Sequence, residues 1–101
     1  MKSIVEIDEL QIEQAICIIR ILANRERLEI VKMLLNTDQM GTDQIQLLIQ
    51  LPRMNVLRHL QLLLKFGFIK KEKHGFLSTY TANREKFAKI ADLVKCFNVK
   101  K

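Results

Sequence analysis

Residues 51–68, LPRMNVLRHLQLLLKFGF, decide how the rest of the chain reads. Wound as a helix at about 100° per residue, the segment places Val56, Leu60 and Leu63 on one stripe and Met54, Arg58, Gln61 and Lys65 on the opposite one. The first stripe suits a core. The second is long-armed, partly cationic and free of carboxylates, which suits phosphates and base edges but also suits plain solvation. Gly67 marks the helix end, because glycine takes the left-handed conformation that lets the last carbonyls be satisfied. The next stretch, FIKKEKHGFLSTY, reads as two short strands around a His74-Gly75 turn, with Tyr80 returning toward the core.

Working back from this stretch, Leu51-Pro52 makes a turn, and proline is tolerated there because the amide it lacks would be unpaired in a first helical turn. The segment before it predicts a short helix, Asp43 to Gln50, capped by Thr42 and carrying Ile45, Leu48 and Ile49. Asn36 to Gly41 is polar and reads as loop. Asn24 is placed to cap a helix over Arg25–Leu35, with Leu28, Val31, Leu34 and Leu35 inward. Residues 8–22, DELQIEQAICIIRIL, start as an amphipathic helix and become apolar nearly all round from Ala15. A helix of that kind needs cover on two sides, and a second copy of the chain is the natural cover. After the hairpin, a last helix is expected over Arg84–Phe97, with Phe87, Ile90, Ala91, Val94 and Phe97 at helical spacing.

The expected order is therefore four helices, a small β-hairpin and a fifth helix. It is a mainly α architecture, and helix, turn, helix and hairpin in this order describe a winged helix-turn-helix. The residues themselves carry a closer likeness. The segment 51–68 resembles the turn and recognition helix of the ArsR/SmtB family of bacterial winged-helix repressors. Leu22-Ala23-Asn24-Arg25 with Arg27-Leu28-Glu29-Ile30 resembles that family's second-helix opening, and the likeness spans roughly residues 20–81.

The resemblance implies a homodimer formed by the first and last helices, through Ile12, Ala15, Ile16, Ile19 and Leu22 and through Phe87, Ile90, Ala91, Val94 and Phe97. It also implies double-stranded DNA as partner, with Arg53, Met54, Leu57 and Arg58 as contact positions. The outward stripe independently supplies Met54, Arg58, Gln61 and Lys65, and Asn55 lies between them on the same helix. Lys70, Lys71, Lys73 and His74 would form a wing that reaches the backbone or the minor groove. Two positions depart from the family pattern, which usually has serine where Pro52 and Leu57 stand. The first departure removes a hydroxyl that could touch phosphate. The second leaves a leucine that meets a thymine methyl or packs sideways.

Charge divides along the same line. Residues 1–50 hold five Lys/Arg against eight Asp/Glu, and residues 51–101 hold twelve against three, so a net charge of +6 conceals halves of −3 and +9. The positive half contains the helix and hairpin just described. Nucleic acid selects such a face through counterion release, and an acidic partner or anionic lipid would suit it too.

A chain of 101 residues is expected to form one domain, residues 1–101, with no room for a separate effector module. Apolar residues at 49%, with three Gly and one Pro, indicate an ordered fold. No apolar run is long enough to span a bilayer, and MKSIVEIDEL lacks the order of a signal peptide, so a cytoplasmic location is expected. The family is best known for metal sensing, but its third-helix cysteine pair would align with Gly41 and Asp43. Cys17, Cys96, His59 and His74 show no ligand spacing, so neither a metal nor another cofactor is expected. Some relatives sense oxidants through paired cysteines, which would make Cys17 and Cys96 a redox pair. On apolar helices the plain reading is two inert thiols. No phosphate-binding glycine loop, nucleophile elbow or paired catalytic carboxylates occurs, and His59 inside the helix reads as a packing or DNA-contact residue.

Two functions of different class follow. One is a homodimeric DNA-binding transcriptional regulator, a repressor that occludes a two-fold operator. The other is a winged-helix protein-interaction module, an antirepressor or scaffold, with only sequence-blind DNA affinity.

Overall fold

A computed structural model describes the backbone of residues 8–97 and the side chains of residues 8–92. The elements run α1 (Glu9–Leu22), α2 (Arg25–Leu35), β1 (Met40–Gly41), α3 (Thr42–Ile49), α4 (Arg53–Lys65), β2 (Ile69–His74), β3 (Leu77–Ala82) and α5 (Arg84–Phe97). The helix boundaries follow from local chemistry. Asn24 is extended, and its Oδ1 accepts the Arg27 N–H at 2.9 Å, so α2 starts where the asparagine predicts. At α3 the expectation needs correction. Gly41, not Thr42, is the N-cap, with its N–H donating to Gln44 Oε1 at 2.9 Å, and Thr42 is a buried first-turn residue.

The link from α3 to α4 is short and rigid. Gln50 ends α3 in the left-handed conformation, φ 58°, and Pro52 takes the N-cap position of α4. The Pro52 carbonyl accepts the N–H groups of Asn55 and Val56 at 3.0 and 3.2 Å and starts the helix, and the donor that proline lacks is one that has no intrahelical acceptor at a helix start. At the other end of α4, Gly67 has φ 78° and its N–H donates to the Leu64 carbonyl at 3.0 Å. The Phe68 N–H donates to the Leu63 carbonyl at 2.9 Å. These two bonds form a Schellman stop, and the glycine is needed because its φ is positive.

Core residues come from every layer: Ile30, Val31 and Leu34 of α2, Ile45 of α3, Val56, Leu60 and Leu63 of α4, then Phe68, Ile69 and Tyr80. The stripe assigned to α4 is therefore buried as expected, and Tyr80 returns to the core. One inward assignment fails: Leu28 is 38% exposed. Leu48 of α3 is 61% exposed. The buried stripe of α2 is centred on Ile30, Val31 and Leu34, and Leu28 lies about 110° off its centre; α3, packed through Thr42 and Ile45, carries Leu48 about 90° from its buried face.

The sheet also differs from a bare hairpin. The end of the segment read as loop forms β1, giving an antiparallel three-stranded sheet of order β1-β3-β2, with Met40 opposite Tyr80 and Gly41 opposite Thr79. In the hairpin proper, Ile69 pairs with Ala82 and His74 with Leu77, so His74 is a strand residue and the two-residue loop is Gly75-Phe76. Gly75 has φ 67°, and it is the first loop residue, the position that a type II′ turn reserves for glycine. Asn83 then ties the pieces together. Its Nδ2 donates to the Gly67 carbonyl at 2.8 Å and its Oδ1 accepts the Lys86 N–H at 3.2 Å, joining the end of α4 to the start of α5.

Candidate nucleic-acid interface

The fold fixes α4 by one face and presents the other. Val56, Leu60 and Leu63 are buried, and Met54, Arg58, Gln61 and Lys65 are exposed about 180° away. Arg53 is exposed at one flank, and Leu57 and Asn55 are half-buried beside the stripe. Leu57 is thus partly covered and keeps some surface outward. No acidic residue lies in the first turn of α4. Among the described residues, Arg58, Lys65, Lys70, Lys71 and Lys73 form no ion pair, so their charges face outward uncompensated.

His59 is not part of this outer face. Its side chain is 12% exposed, with Nε2 3.1 Å from Glu26 Oε1 and Nδ1 3.4 Å from Arg27 Nη1. A guanidinium only donates, so Nδ1 accepts and Nε2–H donates to the carboxylate. Arg27 is itself held, donating from Nε to the Ile21 carbonyl at 2.6 Å. The rotation of α4 about its own axis is thus fixed by apolar packing on one side and by a polar lock to the first turn of α2 on another.

Arg53 carries a second link. Its Nη1 donates to Asp43 Oδ1 at 2.8 Å, joining the first turns of α3 and α4. The wing adds Lys70, Lys71, Lys73 and His74, all exposed, with Glu72 among them and 3.5 Å from His74 Nε2. At its tip Phe76 is 104% and Leu77 69% exposed. Neither is singled out by hydropathy patterning, although the position after a hairpin glycine identifies Phe76 as a turn residue. Phe76 and Leu77 line a groove of about 320 Å³ together with Arg53, Asp43, Gln44 and Thr79, so the wing tip and the start of α4 open on the same side.

The residues read as a self-association surface divide. Ile12, Ile16 and Ile19 of α1 form an exposed stripe, and Ala15 and Leu22 are half-buried at its edges. Phe87 packs against Phe68 with ring centroids 5.6 Å apart, Ile90 packs on the core, and Ala91 is exposed. The side chains of Val94, Cys96 and Phe97 lie outside the described residues. Cys17 is a free, half-buried thiol packed on the core. Among the described residues no cluster of three His, Cys, Asp or Glu could hold a metal, and no helix is long and apolar enough to cross a membrane.

No protein-family model matches the sequence, and no curated protein is significantly similar to it. Solved structures are similar over nearly the whole chain. HlyU from Vibrio cholerae superposes with a TM-score of 0.74 at 24% identity, over 89% of this chain and 98% of that one. A homodimeric winged helix-turn-helix DNA-binding domain from Mycobacterium bovis, described as a possible ArsR-family transcriptional regulator, gives 0.73 at 21% identity, over 96% and 89%. The transcriptional repressor PagR of Bacillus anthracis gives 0.70 at 24% identity, over 86% and 99%. The element order, the sheet and these superpositions agree, and the chain has the winged helix-turn-helix fold of such regulators.

Proposed function

We propose that this chain is an ArsR-type transcriptional regulator that binds double-stranded DNA sequence-specifically as a homodimer and represses by occluding its operator. The observation that carries this reading is α4 itself. One face is locked to the core and to Glu26, and the other presents Met54, Arg58, Gln61 and Lys65 with no carboxylate among them. Arg53, Met54, Asn55, Leu57 and Arg58 would enter a major groove, Gln61 and Lys65 would lie nearer phosphate, and the wing would hold the flanking backbone. A dimer through the Ile12, Ile16 and Ile19 stripe and α5 would set two such helices about one helical turn apart, ~34 Å.

Selection of bound sequences from a random DNA pool tests this reading. A regulator enriches a two-fold site, binds it in the presence of competitor DNA and loses affinity steeply with salt. A second reading, a protein-interaction module, is favoured by exposed Leu47, Leu48 and Met54. It predicts weak binding with no enriched sequence.

A further inference from the structure

We propose that the wing tip is an apolar wedge: Phe76, backed by Leu77, enters the minor groove beside the operator half-site and unstacks a base step there. The inference rests on the DNA-binding reading and adds to it a contact that neither the charge of the wing nor the outward stripe of α4 supplies.

The wing tip is unusual in what it exposes. Phe76 keeps its whole side chain in solvent and Leu77 most of it, although both are large and apolar. The turn does not require this. A two-residue loop with glycine in its first position accepts a small polar residue in the second, and the hairpin is already registered from Ile69–Ala82 to His74–Leu77. Phe76 therefore contributes nothing to the core and nothing to the turn.

Position and charge identify the occupant. The tip shares a groove with Arg53 at the first turn of α4, so a partner that receives α4 also meets Phe76. The strand leading to the tip carries the exposed Lys71 and Lys73 with Glu72 between them, two lysines against one carboxylate, so the hairpin behind the ring is net positive. An apolar tip backed by cations fits a narrow, strongly negative cleft with an apolar interior. The minor groove next to the major groove that holds α4 is such a cleft, and phenylalanine and leucine are among the side chains that open base steps when inserted there. The wedge also implies a sequence preference at a flanking position without hydrogen bonds to its bases, favouring the easily unstacked TA and CA/TG steps.

The test uses the full chain and the site enriched from a random pool, with 2-aminopurine placed at successive flanking positions and bending read by circularly permuted fragments. The wild type should raise the 2-aminopurine fluorescence at one step on each side of the site and bend the fragment. Phe76→Ala should abolish both signals and weaken binding about tenfold, while Phe76→Leu keeps part of each. Thermal melting of Phe76→Ala should match the wild type, since the ring is fully exposed. If wild type and Phe76→Ala give the same fluorescence, bend and affinity on an enriched site, the wedge is wrong and the DNA-binding reading stands. If no sequence is enriched at all, both fail together. Binding of the wild type to phosphatidylglycerol vesicles that Phe76→Ala loses, with DNA binding unchanged, would overturn the wedge in favour of a lipid surface.

Discussion

Arg53 and Asp43 are joined across the helix-turn-helix, with Nη1 of the arginine 2.8 Å from Oδ1 of the carboxylate. Both side chains are more than half exposed, so the pair is worth ~0–1 kcal/mol to stability. Its larger effect under the proposed function is on aim, because it biases the direction of Arg53, one of the arginines proposed to enter the groove. Asp43→Ala should leave the melting curve within ~1 kcal/mol of wild type. It should strengthen binding to random DNA at low salt, by removing a negative charge from the face, and reduce the preference for the enriched site. Fluorescence anisotropy on the two DNAs reads both effects; an unchanged preference would remove the orienting role.

The exposed stripe on α1 leads to a different kind of measurement. Ile19 is 64% exposed in the single chain, so a charge there does not disturb the core, but it would stand unpaired within an apolar dimer surface at a cost of several kcal/mol. Ile19→Glu should therefore be a folded monomer by light scattering, with wild-type helix content and weakened binding to a two-fold site. A dimer of wild-type affinity would exclude α1 from the interface.

Gly67 provides a test of the fold that involves no partner. A Cβ at this position would lie 3.8 Å from the nearest atom, Lys86 Nζ, which is ordinary contact, so the penalty of Gly67→Ala comes from its φ of 78°. Urea denaturation should show a loss of ~1–2 kcal/mol. Gly41→Ala, where φ is −85° and the added Cβ would be 3.6 Å from the Ser78 carbonyl oxygen, should lose clearly less.

What can be read from the sequence is what repeats locally. The division of α4 into two faces, the Asn24 cap and the Gly67 stop depend on spacing and on single-residue conformational preference, and each stands where spacing and preference put it. What escapes depends on partners distant in the chain. Met40-Gly41 becomes a strand only because β3 arrives beside it about forty residues later, and nothing in NTDQMG signals that pairing. The inward face of α2 is ambiguous in sequence because Leu28, Val31, Leu34 and Leu35 satisfy helical spacing as well as Ile30, Val31 and Leu34 do; which arc is buried is decided by α4 and the sheet. The same holds for the interface. Arg58 is legible as an outward cation, whereas the Asp43 grip on Arg53 and the Glu26 grip on His59 span 10 and 33 residues and have no local signature.

If α4 reads sequence while the wing lysines hold the backbone, binding free energies on the enriched site and on random DNA separate the two roles. Arg58 is exposed on the outward stripe, where a guanidinium can pair bidentately with guanine. Arg58→Ala should lose ~1–3 kcal/mol on the enriched site and much less on random DNA. Lys71→Ala and Lys73→Ala should weaken both alike and reduce the slope of log K against log salt by about 0.9 for each phosphate that is no longer neutralised. Equal losses on both DNAs for Arg58→Ala, or no change in any of the three variants, would contradict the assignment of α4 as the recognition helix and leave the protein-interaction reading in its place.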